Sequence, residues 1–165
     1  MSGYQTAPWS DFSVAVVGAS AALAGLLFVA VSINVERILA GDALTGRSAN
    51  AMVLFVVPLV VGTLVLVPAQ PRTALGIELL LTGAAAGGCL LRINRPGHRG
   101  SLEPVVSWVL VRLLPSATIT AGLLAAGVSL LAGAGGGLYW VVPVVLVAFL
   151  GGLVTAWVLL IEIRR

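Results

Sequence analysis

The chain has 165 residues, of which 59% are apolar and 9% are charged, and its mean hydropathy is +1.12. Because a soluble domain carries about 25% charged residues, this composition excludes a soluble globule, a disordered chain and a secreted disulfide scaffold. One cysteine, Cys89, and one histidine, His98, are too few for an internal disulfide, a bis-histidine haem or a typical metal site. We therefore expect an all-α polytopic membrane protein with no cofactor and no metal.

Five apolar runs are long enough to cross a membrane as helices, since about 20 apolar residues span a hydrocarbon core of about 30 Å. The first run is uncharged, and we expect its helix to continue past the bilayer as far as Gly41. Pro58 and Pro115 lie in the second and fourth runs, where they predict bends. The predicted bundle is a single membrane domain, residues 1–165, with spans at about residues 12–33, 51–68, 73–91, 113–132 and 138–161.

The connections between these runs hold most of the charge and determine the predicted topology. Segment 42–50 is predicted to be a polar connection, and the glycine-rich residues 133–137 a short turn. With five spans, Arg72 lies on the side of the N-terminus, and seven arginines, or eight with Arg112, lie on the other side. Because positive residues stay in the cytoplasm, we predict an outside N-terminus and a cytoplasmic C-terminus, and no nucleic-acid partner. The seven are Arg37, Arg47, Arg92, Arg95, Arg99, Arg164 and Arg165.

Glu78 is the acidic residue that falls inside a hydrophobic run, about 8–9 Å from the outer end of the third span if that helix begins near residue 73. Glu78, Thr82 and Cys89 follow each other at helical spacing and share one face. Because carboxyl groups inside a membrane are costly and usually functional, this face is a candidate proton or cation site. The alternative is that Glu78 lies shallow enough to reach the headgroups, or pairs with Arg72 or a neighbouring helix end.

Arginines near the inner ends of the spans are candidate contacts for lipid headgroups. Arg92, Arg95 and Arg99 form a basic patch suited to anionic lipids, although a positive cytoplasmic face produces the same pattern. Arg112 follows Trp108 by four residues, a spacing at which the guanidinium can stack on the indole. A ligand-binding role is an alternative, but we expect Arg112 to extend to the inner headgroups as a topology anchor.

Small residues at helical spacing are the strongest pattern in the sequence. They let two helix backbones approach closely, which is how membrane helices associate without a hydrophobic driving force. Packing within the bundle explains most of them, but we expect at least one face to serve a homo-oligomer or a larger membrane-protein partner. The two main faces are Gly18, Ala21, Ala22 and Gly25 on the first span, and Thr118, Gly122, Ala125 and Ser129 on the fourth.

Known types of membrane enzyme fit the sequence poorly. A serine–histidine protease site needs an intramembrane histidine, and His98 lies in the connection between the third and fourth spans. Metal-dependent lipid transfer needs clustered aspartates, whereas Asp11 and Asp42 lie on opposite predicted sides. The sequence therefore favours a non-enzymatic accessory, scaffold or regulatory subunit. The alternative is a small oligomeric channel or transporter for protons or cations that uses Glu78.

The first span, with the sequence GASAALAGLLFVAVSIN at residues 18–34, resembles the first helix of small multi-pass membrane proteins of high-GC bacteria. No activity is assigned to that group. The resemblance implies a location in the bacterial cytoplasmic membrane, and it offers no catalytic residue to transfer to this chain.

Overall fold

The structure is a computed structural model that describes residues 3–40, 42–94 and 109–163, without the side chains of residues 42, 43, 110, 162 and 163. These residues form helices and connections and no β-strand, which confirms the predicted all-α class. Six α-helices follow in chain order: α1 (Ser10–Ile33), α2 (Val35–Leu39), α3 (Asp42–Val65), α4 (Arg72–Ile93), α5 (Leu114–Ala132) and α6 (Val141–Ile163). Short 3-10 turns, Ala7–Trp9 and Gly137–Trp140, precede α1 and α6, and one π-helical turn, Val109–Leu113, precedes α5.

Five of these helices, all except α2, are long and apolar enough to cross a membrane, which confirms the predicted number of long apolar helices. Their apolar composition and lengths fit a multi-pass membrane protein. The second span is wrong at both ends, because α3 begins at Asp42 and ends at Val65. The helix continues through Pro58, and Pro115 is the second residue of α5, directly after the π-helical turn.

The predicted continuous helix beyond residue 33 is also wrong, since the helix breaks at Asn34. This residue has φ −114° and ψ 21°, and its side-chain Nδ2 donates to the carbonyl of Ala30 at 2.8 Å. An asparagine side chain that bonds the local backbone competes with the helical conformation, which explains why α2 is separate from α1. Gly41, the predicted terminator, lies outside the described residues.

Segment 42–50, which was predicted to be a polar connection, is helical and forms the first turns of α3. Its polar side chains bond backbone carbonyls: the Thr45 hydroxyl donates to Ile38 at 2.8 Å, and the Ser48 hydroxyl donates to Thr45 at 2.9 Å. Because α2 packs on this part of α3, the segment is folded against protein and continues as a helix.

Four helices form a ring in which α3 contacts α4, α4 contacts α5, α5 contacts α6, and α6 contacts α3. The α1 helix lies outside this ring and packs along α3, with few contacts to α6. In the most apolar stretch of each helix, 17% of the residues of α1 are buried, against 56% for α3. Most of the surface of α1 therefore faces outward.

The α4 and α5 helices make the most extensive pairing among the described elements. Glycines bring the two backbones together: a Cβ atom built on Gly127 would lie 2.7 Å from the carbonyl oxygen of Gly76. A Cβ atom on Gly87 would lie 2.7 Å from a methyl group of Thr120. Small residues on these two helices are therefore used for packing within the chain.

The N-terminal segment is held against the turn that joins α5 and α6. The backbone N–H of Leu138 donates to the carbonyl of Gly3 at 2.8 Å, and the N–H of Gly136 donates to the Tyr4 hydroxyl at 2.9 Å. Gly136 has φ +106°, a left-handed conformation that L-residues with side chains rarely adopt. The glycine-rich turn thus offers its backbone as a docking site for residues 3 and 4.

Candidate functional site

The small-residue face of α1 is exposed along its whole length. Gly18, Ala21, Ala22 and Gly25 are all exposed, and a Cβ atom built on either glycine would meet nothing within 4 Å. At about 100° per residue, this face lies opposite the side of α1 that packs on α3. The buried residues of α1 are Ser13, Val16, Ser20 and Leu27.

Larger side chains border the same face at both ends. Val14 is 58% exposed and Val29 is 54% exposed, and both lie on the side of the helix that carries Gly18 and Gly25. The small residues between them form a shallow depression about 10 Å long. We call the four small residues and these two valines the α1 outer face. Its shape suits close approach by another helix.

The second predicted association face, on α5, is largely occupied within the chain. A Cβ atom on Gly122 would lie 2.4 Å from a methyl group of Val144 on α6. The Ser129 hydroxyl accepts from the N–H of Gly137 at 2.7 Å and donates to the carbonyl of Ala134. Thr118 bonds the carbonyl of Leu114 in its own helix. Ala125 is half-buried, so this face is not a free surface comparable to the α1 outer face.

Glu78 lies near the start of α4, six residues after Arg72, and bonds the connection between α3 and α4. Its Oε2 accepts from the Nε2 of Gln70 at 2.5 Å. The Thr82 hydroxyl donates to the backbone carbonyl of Glu78 at 2.7 Å, and Cys89 is exposed. The three side chains thus share a helix face, as the spacing predicts, but the contacts do not join them into one site. The hydrogen-bond partner of the Glu78 carboxylate is Gln70 in the connection before α4, and not Arg72.

Arg112 is 3% exposed, which corrects the expectation that it extends to the surface as a topology anchor. It lies in the π-helical turn before α5, where the extra residue of a π-turn changes the direction of side chains. Arg92 is exposed in the last turn of α4, as expected for a residue that contacts headgroups. Arg95, Arg99 and the proposed stacking partner Trp108 lie outside the described residues.

A buried polar cluster joins α3, α4 and α5, and sequence reasoning missed it. Asn94, which caps the C-terminus of α4, is 3% exposed, and Asn50 is 1% exposed. The Nδ2 of Asn94 donates to the Oδ1 of Asn50 at 2.9 Å and to the Ser116 hydroxyl at 3.1 Å. Both asparagines lie just outside the predicted spans, so span prediction alone does not bring them together. Hydrogen bonds between membrane helices favour one arrangement of the bundle.

An open cavity of about 300 Å³ lies at the end of the bundle where α4 begins. The N-terminal segment, the connection before α4, two side chains of α4 and one of α5 form its walls. Arg72 is exposed, and one guanidinium nitrogen would lie 3.0 Å from a Cβ atom built on Gly133. The residues that line the cavity are Tyr4, Gln5, Thr6, Ala7, Gln70, Arg72, Leu75 and Leu130.

The described part of the chain holds no group of three or more histidine, cysteine, aspartate or glutamate side chains that could bind a metal ion. Comparison with protein-family models, with curated proteins and with solved structures gives no match. Function must therefore be inferred from the geometry and chemistry of this chain alone.

Proposed function

We propose that this protein is a non-enzymatic membrane subunit, with an accessory, scaffolding or regulatory role, that associates through the α1 outer face. The observation that carries the proposal is the open space over Gly18 and Gly25, on a helix of which little is buried. A face of this kind gains more from contact with a helix backbone than from lipid chains, because packing and weak polar contacts drive helix association in a bilayer. The partner is a second copy of the chain or a larger membrane protein.

We also propose that the protein lies in the cytoplasmic membrane of a bacterium, with the N-terminus outside. The arginine distribution supports this orientation, because one side of the five-span arrangement carries Arg72 and the other carries most of the rest. Arg112 is buried and is left out of the count, which leaves seven arginines on the proposed cytoplasmic side. The cavity beside Arg72 then lies on the outer side of the membrane.

The experiment that tests this function measures association between labelled copies in lipid vesicles. Cys89 is the sole cysteine in the sequence and is exposed, so donor and acceptor dyes attach at one known position. We expect energy transfer between wild-type copies, and at least about ten-fold weaker association when Gly18→Leu and Gly25→Leu are combined. The two leucines fill the depression and hold the partner backbone away.

The matched control is Gly46→Leu, since a Cβ atom at Gly46 also meets nothing within 4 Å but lies on α3, away from the α1 outer face. It should leave energy transfer unchanged. A larger membrane protein that co-purifies with the wild type and is lost from the double variant supports the same face. The proposal is wrong if neither assay responds to the double variant, or if reconstituted protein conducts protons or cations and Glu78→Gln abolishes that flux.

A further inference from the structure

An apolar groove lies between α1 and α6 at the surface of the bundle. Both helices pack on α3 but have few contacts with each other, and a space of about 190 Å³ is left between them. Its walls are accessible from outside, since Leu26 is 70% exposed, Leu153 48% and Leu160 45%. The buried residues that form its floor are Leu27, Phe55 and Leu159. The groove therefore offers a ligand exposed hydrocarbon from both helices.

The groove has the position and direction of a lipid chain in one half of a bilayer. On α1 it extends from Leu23, near the middle of the helix, to Ala30, about 10 Å further along. On α6 it extends from Leu153, also near the middle, to Leu160. Half of a hydrocarbon core is about 15 Å thick. The groove therefore covers most of the depth of the leaflet on the side where α1 and α6 end.

The groove is too narrow to admit a partner helix. A volume of about 190 Å³ over a length of about 10 Å gives an average cross-section of about 19 Å². A helix with its side chains is about 10–12 Å across, which corresponds to a cross-section about four to six times as large. An extended hydrocarbon chain has no side groups, and it is the membrane component that this shape suits.

A guanidinium lies beyond the end of the groove. Ile38 of α2 packs in one apolar cluster with the floor of the groove, and Arg37, the residue before it, is exposed. Because α1 ends at Ile33, Arg37 lies past the hydrocarbon core, at the level of the lipid phosphates. A guanidinium has five N–H donors and binds phosphate strongly, so a contact of Arg37 within the chain leaves donors for a phosphate oxygen.

From these features we propose that the groove binds a phospholipid of the leaflet on that side. One acyl chain lies along Leu26, Leu153 and Leu160, and the phosphate accepts hydrogen bonds from Arg37. The bound chain fills the space left between α1 and α6, and so holds α1 against the ring of helices. Leu26 lies about 80° around α1 from Gly18. The groove is thus separate from the α1 outer face, and lipid binding does not depend on that face.

The test is a titration of the delipidated full chain in mild detergent, in which native mass spectrometry counts the lipids bound per chain. The probe is dioleoylphosphatidylethanolamine, which has no net charge, because the exposed Glu36 beside Arg37 would repel a negative headgroup. We expect one molecule to bind per chain. Dioleoylglycerol has the same chains but no phosphate, and it should bind at least about ten-fold more weakly. Equal affinity for dioleoylglycerol or for oleate, a free fatty acid, would overturn the proposal, as would no binding of the phospholipid.

Substitutions in the two walls locate the acyl chain. Ala156→Leu on α6 and Ala30→Leu on α1 each place a larger side chain in the groove, and each should weaken phospholipid binding about ten-fold. The matched control is Ala85→Leu, since Ala85 is exposed on α4 at a similar distance from the same end of the bundle. An equal loss of binding in the control would contradict the assignment. Circular dichroism and the Tm establish that each variant is folded.

Substitution of Arg37 locates the headgroup. Arg37→Gln should weaken phospholipid binding about ten-fold and leave the weaker binding of dioleoylglycerol unchanged, because only the phosphate partner is removed. Arg92→Gln is the matched control, since Arg92 is an exposed arginine in the last turn of α4. An equal loss in both variants would show a general effect of charge and overturn the headgroup assignment. Lipids are counted per chain, so a failure of the α1 outer face in its own assay leaves this result unaffected.

Discussion

The interface between α4 and α5 and the outer face of α1 carry the same sequence pattern but differ in what lies above it. A Cβ atom on Gly127 would lie within 3 Å of α4. A Cβ atom on Gly18 would meet nothing within 4 Å. At Gly127 a neighbouring helix fills the space that a side chain would occupy, and at Gly18 that space is unfilled. The spacing of small residues therefore indicates that another helix can approach closely. Only the tertiary arrangement shows whether that helix belongs to the same chain.

The two regions also differ in how a bulky substitution would act. Between α4 and α5 the nearest atoms include backbone, because the Cβ positions of Gly76 and Gly127 each face the carbonyl oxygen of the other residue. Backbone atoms in packed helices move only if the helices separate. On α1 a new side chain would displace lipid or a partner. Substitutions in the first region should change folding, and substitutions in the second should change association.

Among alanine substitutions at Gly18, Gly87 and Gly127, Gly127→Ala should produce the largest loss of stability. The new methyl group would lie 2.6 Å from Leu80 and 2.7 Å from the carbonyl oxygen of Gly76, so α4 and α5 must separate. Overpacking of this kind costs typically about 1–3 kcal/mol, and we expect about 2 kcal/mol. The free energy of unfolding, measured by denaturant titration in mixed micelles, checks this value. A variant as stable as the wild type would show that the two helices are less closely packed than the structure indicates.

Gly87→Ala should have an intermediate effect in the same interface. Its methyl group would lie 2.7 Å from a methyl group and 2.8 Å from the hydroxyl of Thr120, a side chain that can adjust more easily than backbone. The Thr120 hydroxyl donates to the carbonyl of Ser116 at 2.8 Å, so rotation of this side chain would disturb that bond. We expect a destabilisation of about 1 kcal/mol. Combined with Thr120→Ala, which removes both the methyl group and the hydroxyl, Gly87→Ala should be no less stable in the same titration than Thr120→Ala alone.

Much of the fold follows from the sequence, because uninterrupted apolar runs leave few alternatives to a membrane helix. The sequence predicts the number of long helices and the glycine-rich turn. It also predicts the bounds of α4 to within two residues. The error at the start of α3 arose because polar residues were taken as a sign of solvent exposure. Thr45 and Ser48 instead bond backbone carbonyls, and a helix that packs on α2 accommodates them.

The candidate sites were less predictable, because they depend on contacts between distant parts of the chain. Gln70 lies between the second and third predicted spans, and nothing in the sequence places its amide against Glu78, eight residues later. Asn50 and Asn94 are 44 residues apart, and only the folded ring brings their amides to 2.9 Å. The exposed state of Gly18 depends on which side of α1 packs on α3. Helical spacing defines two opposite faces, and their nearly uniform apolarity gives little sign of which one is buried.

Gly18→Ala should have the smallest effect on the free energy of unfolding, within about 0.5 kcal/mol of the wild type. The new methyl group meets no protein atom within 4 Å, and alanine favours a helix over glycine, so any change should be slightly stabilising. Association should respond differently, because the methyl group stands in the depression where a partner backbone would lie. Energy transfer between Cys89-labelled copies should therefore be lower for Gly18→Ala than for the wild type. The unfolding curve of Gly18→Ala should coincide with that of the wild type. If instead Gly18→Ala unfolds as readily as Gly127→Ala, then α1 is packed on both sides within one chain, and the contrast between the two regions does not hold.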